Sequence, residues 1–92
     1  MIQKRIHIFV TGRVQGVFFR QSTRVIAIKN NVNGWVSNLD DGRVEIVAEG
    51  QKQNIENLVN WCKTGPANSR VDEFELLDEN YTDEFENFEV RY

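Results

Sequence analysis

The sequence of 92 residues predicts one α+β domain, residues 1–92, in which an antiparallel sheet carries two helices on one face. Two observations lead to this prediction. Segments in which apolar and polar residues alternate, as they do in half-buried strands, are interrupted by two segments with the spacing of helices. These segments follow one another as strand, helix, strand, strand, helix and strand, with a further strand at the C-terminus. A chain of this length holds a single core.

The N-terminal third predicts a strand and a helix. Residues 3–12 alternate in polarity, and one side of this strand is apolar: Ile6, Ile8 and Val10. Residues 20–30 lack Gly and Pro and predict the first helix. Its apolar positions form a rough stripe: Val25, Ile26 and Ile28. We expect Asn31 to end this helix in the left-handed conformation, which Asn tolerates next best after Gly.

The middle of the chain predicts a hairpin and a second helix. Residues 34–39 and 43–49 are two strands joined by a turn at Asp40-Asp41-Gly42. Gly50 opens the second helix, and Gly65-Pro66 ends it. The apolar residues of this helix recur at i, i+3, i+4 and i+7: Ile55, Leu58, Val59 and Cys62.

The C-terminal part predicts two more strands, residues 70–77 and 85–92, joined by a polar connection within the same domain. The last strand places three residues on one face: Phe88, Val90 and Tyr92. Two helical crossovers around a central hairpin are typical of the split-βαβ, or ferredoxin-like, arrangement. Because that arrangement hosts many functions, it predicts none of them.

The charge is unevenly distributed along the chain. The first 30 residues contain six basic residues and no acidic one: Lys4, Arg5, Arg13, Arg20, Arg24 and Lys29. Residues 71–92 contain nine acidic residues against Arg91. The net charge of -3 argues against a general nucleic-acid binder. The basic segment favours an anionic ligand near the N-terminal third, and an ordinary solvated surface explains it equally well.

Cysteine use and hydropathy indicate the compartment. The lone Cys62 excludes an internal disulfide, as is typical of the reducing cytoplasm. The N-terminal residues alternate in polarity and do not resemble a secretory signal. No run approaches the ~20 apolar residues of a membrane-spanning helix. We therefore expect a cytoplasmic protein that binds no membrane, with a monomer as the default state.

The stretch VTGRVQGVFFR, residues 10–20, joins the first strand to the first helix. The first N–H groups of a helix have no intrahelical partner, and a glycine-rich turn before them can form an anion-binding nest. Gly12 and Gly16 permit unusual dihedral angles, and the planar fork of Arg20 can hold two phosphate oxygens. The stretch matches neither GxxxxGK[ST] nor GxGxxG. It favours a phosphate site over an ordinary strand–helix turn.

Other candidate residues also have structural explanations. Asn38 lies on a strand, where Asn is disfavoured, and it either supports the hairpin turn or positions a water or substrate atom. His7 is isolated on a strand and is expected to be structural. Cys62 falls on the apolar helix face and is expected to be a core thiol. The acidic C-terminal residues lack the pattern of a metal site and are expected to form a solvated edge.

Three motifs together resemble the acylphosphatase family: GRVQGVFFR (residues 12–20), GWVSN (34–38) and DGRVEIVAEG (41–50). The similarity continues through TGP (64–66) and the final FEV, so it spans nearly the whole chain. The resemblance implies a five-stranded sheet with two helices. It also implies an enzyme that hydrolyses the carboxyl–phosphate anhydride of small acyl phosphates without a cofactor or metal.

The resemblance also implies roles for single residues. Arg20 matches the family's phosphate-binding arginine, and Asn38 matches the asparagine that orients the attacking water. The backbone N–H groups that match the family's phosphate-holding loop belong to Gln15, Gly16, Val17, Phe18, Phe19 and Arg20. The chain has Asn30-Asn31-Val32 where the family often has a Leu-Gly-Leu-like run, which affects the expected stability but not the site motifs.

Two other functions remain alternatives to hydrolysis. One is an anion-binding or regulatory module that holds a phosphate without turnover. The other is an RNA-binding domain, which is disfavoured because Phe9 alone offers a stacking ring and the net charge is negative. Among small substrates, acetyl phosphate, carbamoyl phosphate and 1,3-bisphosphoglycerate all fit the predicted chemistry. Inorganic phosphate or sulfate would occupy the same site as product or analogue.

Overall fold

A computed structural model describes residues 2–92 of the chain. It contains five strands and two helices in the predicted order: β1 (Gln3–Arg13), α1 (Phe19–Lys29), β2 (Asn33–Asn38), β3 (Val44–Gln51), α2 (Lys52–Cys62), β4 (Arg70–Glu79) and β5 (Phe88–Arg91). The α+β, ferredoxin-like class is therefore confirmed. The boundaries differ from the predicted ones by a few residues: α2 begins at Lys52 and not at Gly50, and β5 begins at Phe88 and not at residue 85.

The five strands form one sheet in the order β4-β1-β3-β2-β5. The pairs β1–β3, β1–β4 and β2–β3 are antiparallel, as predicted, whereas β5 pairs with β2 in parallel. The sheet is therefore mixed at one edge. The reason is topological. β4 finishes at the same end of the sheet at which β2 starts. β5 therefore enters the sheet at the edge beside β2 and runs in the same direction as β2.

Both helices pack on one face of this sheet, and the core lies between the two layers. The inward residues of β1 and β3 are fully buried, as predicted: Ile6, Ile8, Val10, Val44, Ile46 and Ala48. From α2, Ile55, Leu58 and Cys62 join the same cluster, and Val59 packs against it half-buried. The predicted apolar face of α2 is thus confirmed.

The buried side of α1 differs from the predicted stripe. Val25 and Ile28 are 61% and 51% exposed. Ile26 of the predicted stripe packs half-buried against the core, but the fully buried residues of α1 are Phe19, Thr23 and Ala27, spaced four apart. Thr23 is tolerated there because its hydroxyl donates a hydrogen bond to the Phe19 carbonyl at 2.7 Å. The large Phe19 ring is buried and contacts Trp61, with ring centroids 5.7 Å apart.

The end of α1 confirms the prediction for Asn31, whose φ of 55° is left-handed. Asn30 just before it links the two helices. Its Nδ2 donates to the Ile26 carbonyl at 2.8 Å, and its Oδ1 accepts from Asn57 Nδ2 on α2 at 3.1 Å. An amide pair therefore connects the two helices.

The last strand is shorter than predicted. Phe88 is buried and Val90 half-buried, but Tyr92 lies outside β5 and is 92% exposed, so it does not share their buried face. No helix within residues 2–92 is long and apolar enough to cross a membrane.

Candidate active site

A cavity of about 190 Å³ lies at the end of the sheet where β1 and β2 finish and α1 begins. The residues that join β1 to α1, 14–18, form one wall, and we call them the glycine loop. The full lining comprises Val14, Gly16, Phe18, Phe19, Arg20, Gln21 and Asn38. The fold therefore brings the Arg20 and Asn38 side chains, which are 18 residues apart in sequence, to a single cavity.

The glycine loop leaves a run of backbone donors without partners. Within residues 2–92, the N–H groups of residues 15–20 donate no hydrogen bond. This is expected at the start of α1, where no preceding turn supplies carbonyls. Gly16 and Phe18 both take left-handed conformations, with φ of 73° and 62°. Unpaired N–H groups at a helix N-terminus favour an anion, and here they border a cavity.

Neighbouring loop residues anchor this backbone. Val14, Val17 and Phe19 are at most 7% exposed and belong to the core. Gly65 in the turn after α2 packs directly on Phe19, since a Cβ at that position would lie 2.5 Å from Phe19 Cε2. The role of the Gly65-Pro66 turn is therefore to leave room for the ring that begins α1.

Gly12 is part of β1 rather than of the glycine loop. A Cβ there would lie 2.1 Å from the Arg70 carbonyl oxygen, so the close pairing with β4 requires glycine. The sequence-based assignment of Gly12 to the anion-binding turn is therefore wrong, and of the two glycines only Gly16 lines the cavity.

Arg20 occupies the first turn of α1 and lines the cavity. Its Nη1 donates to the Arg91 carbonyl at 3.3 Å, and its guanidinium carbon lies 4.6 Å from the centroid of the Tyr92 ring. The last two residues of the chain therefore hold the guanidinium from one side. Because a guanidinium has five N–H donors, most of them are free for a ligand.

Asn38 ends β2 and presents its side chain to the same cavity. Its Oδ1 is buried and is the one such side-chain atom within residues 2–92 that lacks a hydrogen-bond partner. A buried acceptor without a partner costs about 1–3 kcal/mol. The oxygen does not bond to the hairpin turn, which disfavours the turn-supporting interpretation. A ligand or water in the cavity would satisfy it.

Gln15 has a role that the sequence did not reveal. Its Nε2 donates to the carbonyls of Leu39 and Arg43 at 2.8 and 2.9 Å. These carbonyls flank the hairpin turn directly after Asn38, and Leu39 N–H also donates to the Arg43 carbonyl at 2.8 Å. The side chain thus fixes the glycine loop relative to β2. No local pattern could identify partners that lie 24 and 28 residues away.

The remaining candidates lie outside this cavity. His7 is on the opposite face of the sheet, where its Nδ1 and Nε2 lie 2.9 Å and 2.6 Å from carboxylate oxygens of Glu79 and Glu45. Cys62 is fully buried, and burial raises the pKa of its thiol. Both findings agree with the structural roles expected of them. Residues 2–92 contain no group of three or more His, Cys, Asp or Glu that could hold a metal ion.

Comparison with known proteins gives consistent matches over the whole fold. The family profile described as Acylphosphatase matches residues 6–90. The acylphosphatase of Syntrophus aciditrophicus is 46% identical over 91 residues, which cover 99% of this chain and 95% of that protein. The acylphosphatase of Rubrobacter xylanophilus is 50% identical, with 96% and 80% covered. The crystal structure of acylphosphatase from Bacillus subtilis superposes with a TM-score of 0.92 at 37% identity, with 97% and 99% covered.

Proposed function

The chain belongs to the acylphosphatase family, hydrolases of acyl phosphates, and we propose that its substrate's phosphoryl group binds in the cavity between the glycine loop and Asn38. In this proposal Arg20 and the N–H groups of residues 15–20 hold the phosphoryl oxygens, and Asn38 orients the attacking water. The observation that carries the proposal is the unpaired, buried Oδ1 of Asn38, a residue that lines the cavity bordered by unpaired N–H donors.

The chemistry of the substrate explains why so few side chains suffice. An acyl phosphate is a mixed anhydride, and its leaving group is a carboxylate whose conjugate acid has a pKa of about 4. The carboxylate departs without being protonated, so the site needs no general acid. Phosphoryl transfer then depends on positioning and on stabilisation of charge.

Arg20 and the loop N–H groups would supply that stabilisation. They would donate hydrogen bonds to the equatorial phosphoryl oxygens, over which the negative charge is distributed in the transition state. By analogy with oxyanion holes, each well-placed donor contributes roughly 3 kcal/mol to transition-state stabilisation. The Gln15 side chain supports the arrangement, because it holds the loop against the hairpin that carries Asn38.

Asn38 would orient the nucleophile without acting as a base. Its Oδ1 accepts a hydrogen bond from water and aims the water's oxygen at phosphorus. The new bond forms between that oxygen and phosphorus, while the bond from phosphorus to the acyl oxygen breaks. The carboxylate leaves with the electron pair, and the water's proton passes to a phosphoryl oxygen. The products are the carboxylate and inorganic phosphate.

Hydrolysis of benzoyl phosphate by matched variants tests these roles. For Asn38→Ala we expect kcat to fall roughly 100-fold or more, while inorganic phosphate still binds. For Arg20→Gln we expect both kcat and phosphate binding to be lost. Asn60→Ala and Arg70→Gln, exposed residues away from the cavity, serve as controls. Full turnover by Asn38→Ala would contradict the role of Asn38.

The same experiment addresses the anion-binding module. A wild-type protein that binds phosphate with no turnover of benzoyl phosphate would favour that alternative. The RNA-binding alternative is weakened by the open face of the sheet. Other aromatic rings lie beside Phe9 on this face. Arg43, however, covers Phe9, with its guanidinium carbon 4.8 Å from the ring centroid, and Arg91 covers Trp35 with the corresponding distance of 4.5 Å. These rings are therefore not free to stack on bases.

We also infer a cytoplasmic monomer. The buried thiol of Cys62, the only cysteine, suits a reducing compartment. Light scattering coupled to size exclusion tests the oligomeric state, and a mass near twice 10.7 kDa would contradict the monomer.

A further inference from the structure

Phe18 is a large apolar residue at the rim of the cavity, and its side chain is mostly exposed. It is 74% exposed, whereas its neighbours Val17 and Phe19 are 7% and 1% exposed. Phe18 nevertheless lines the cavity. The loop therefore buries the apolar residues on both sides and leaves this one ring at the entrance.

The backbone conformation of Phe18 is energetically unfavourable for a residue with a large side chain. Its φ of 62° and ψ of 25° are left-handed, a conformation that is rare for bulky residues and costs roughly 1–2 kcal/mol. Gly16, two residues earlier, takes a similar conformation without a side chain. Phe18 occupies the N-cap position of α1, where its side chain makes no capping hydrogen bond. The left-handed turn that leaves the loop N–H groups unpaired accounts for this backbone, but glycine would adopt it without strain. A bulky ring at such a position, with neither burial nor capping to offset the cost, is typical of ligand-contacting positions.

The direction of the reaction places the acyl group near this ring. In phosphoryl transfer the attacking and leaving oxygens lie roughly in line on opposite sides of phosphorus. Asn38, which would hold the water, lines the cavity with its Oδ1 buried, whereas Phe18 lines it with its side chain 74% exposed. With the water on the buried side, the in-line acyl group extends toward solvent, and Phe18 is the exposed apolar residue of the lining. Arg20 is the only charged residue of the lining, and none is acidic.

We propose that the Phe18 ring binds the acyl part of the substrate and gives the enzyme a preference for acyl phosphates with an aromatic or bulky apolar acyl group. This inference rests on the proposed function and narrows its substrate class. An aromatic acyl group would stack on the ring, which removes apolar surface of both from water. The methyl group of acetyl phosphate would remove much less apolar surface from water and would therefore gain much less binding free energy.

The test compares two substrates in matched variants. We would measure kcat/KM for benzoyl phosphate and for acetyl phosphate in the wild type, Phe18→Leu, Phe18→Gly and Val25→Ala. We compare the ratio of kcat/KM for benzoyl phosphate to kcat/KM for acetyl phosphate. A change in the loop that affects both substrates equally leaves this ratio unchanged. We expect this ratio to fall roughly tenfold in Phe18→Gly and about threefold in Phe18→Leu. Val25→Ala removes an exposed apolar side chain remote from the cavity and should leave the ratio unchanged.

The outcomes separate this inference from the proposed function. Wild-type protein that hydrolyses neither substrate contradicts the proposed function itself. Hydrolysis of both substrates with the wild-type ratio in Phe18→Gly and Phe18→Leu overturns the role of the ring alone. Should Phe18→Gly not fold, Phe18→Leu decides, because it keeps a side chain at the strained position and removes only the aromatic ring.

Discussion

At the scale of single residues, the side chain of Gln15 links the glycine loop to the hairpin that follows Asn38. It donates two hydrogen bonds across the gap between the glycine loop and the hairpin after β2. The distance between the loop N–H groups and the Asn38 oxygen therefore depends on a residue that need not touch the substrate through its side chain. We regard that side chain as a positioning group.

Replacing Gln15 with Ala should lower kcat more than it raises KM. The loop N–H groups remain, but in the proposed mechanism they are no longer fixed relative to the water that Asn38 would orient, and we expect kcat to fall roughly tenfold. Loss of the two hydrogen bonds should also lower the free energy of unfolding by about 1–3 kcal/mol. Steady-state kinetics with benzoyl phosphate and urea denaturation measure the two effects. The control is Gln53→Ala, an exposed glutamine on α2. A purely structural role for Gln15 would lower stability with kcat unchanged.

The sequence predicted the location of the site through its motifs but not the contacts that hold it. Residues 12–20 and 34–38 pointed to Arg20 and Asn38, and the fold places both at one cavity. The contacts of Arg20 with Arg91 and Tyr92 span 71 and 72 residues of sequence. Such contacts depend on the order of the strands, which places the end of β5 beside the start of α1. Local patterns carry no information about them.

At the scale of secondary-structure elements, α2 was easy to predict and α1 was not. The buried residues of α2 recur at helical spacing and are apolar, so periodicity alone identified them. In α1 the core positions hold one aromatic, one hydroxyl and one small residue, while two large aliphatic residues face solvent. Of the three residues that hydropathy indicated, only Ile26 packs against the core, and the fully buried residues were missed. The hydrogen bond of Thr23 to its own helix backbone explains why a polar residue is accepted in the core.

The contact between the Gly65 turn and Phe19 should be sensitive to a single methyl group. Gly65→Ala places a Cβ 2.5 Å from Phe19 and 2.6 Å from Ser69 Oγ, and the position also has a φ of 72°. We expect the free energy of unfolding to fall by about 2–4 kcal/mol. Thermal denaturation followed by circular dichroism provides the measurement.

Gly42→Ala is a matched control for Gly65→Ala. Gly42 also has a positive φ, 95°, but a Cβ there meets no atom within 4 Å. Gly42→Ala should therefore show the cost of backbone strain alone, roughly 1 kcal/mol. Equal losses of stability in the two variants would show that packing against Phe19 adds nothing.

At the scale of the whole molecule, part of the charge asymmetry of the sequence is neutralised within the fold. Arg5 on β1 contacts Glu49, Glu79 and Glu84, and Lys4 lies 3.3 Å from Asp78. The basic N-terminal strand therefore pairs with the acidic C-terminal segment on the sheet. Arg20, by contrast, lines the cavity at the far end of β1. The sequence indicated an anion near the basic segment, but it could not indicate which of the basic residues were already paired.

This cluster should make stability depend on acid pH. Hydrogen bonds from Arg5 and then His7 hold the pKa of Glu79 below its usual value, and hydrogen bonds from Arg5 and Thr82 lower that of Glu84. A carboxylate whose pKa is lowered by folding stabilises the native state at pH values above its pKa in the unfolded chain. That stabilisation is lost as the pH falls through the pKa of the carboxylate in the folded protein. We therefore expect the free energy of unfolding to decrease below about pH 4.5.

Glu79→Gln should flatten this dependence. The variant is less stable than wild type at neutral pH, and the difference between the two narrows as the pH falls, because the wild-type carboxylate becomes protonated. Urea denaturation at a series of pH values from about 3 to 7 measures both curves. The control is Glu73→Gln, since the Glu73 carboxylate pairs with no cation in the described part of the chain. Parallel curves for wild type and Glu79→Gln would contradict this role of the cluster.

The most direct test of the account is a crystal structure of the protein with phosphate or sulfate at saturating concentration. We expect one oxyanion in the cavity, with its oxygens within about 3.2 Å of the N–H groups of residues 15–20 and of the Arg20 guanidinium. We also expect a water within the same distance of Asn38 Oδ1, because this oxygen only accepts hydrogen bonds. A cavity with no anion at saturation would contradict the account. So would an anion bound with Asn38 Oδ1 and Arg20 both turned away from it.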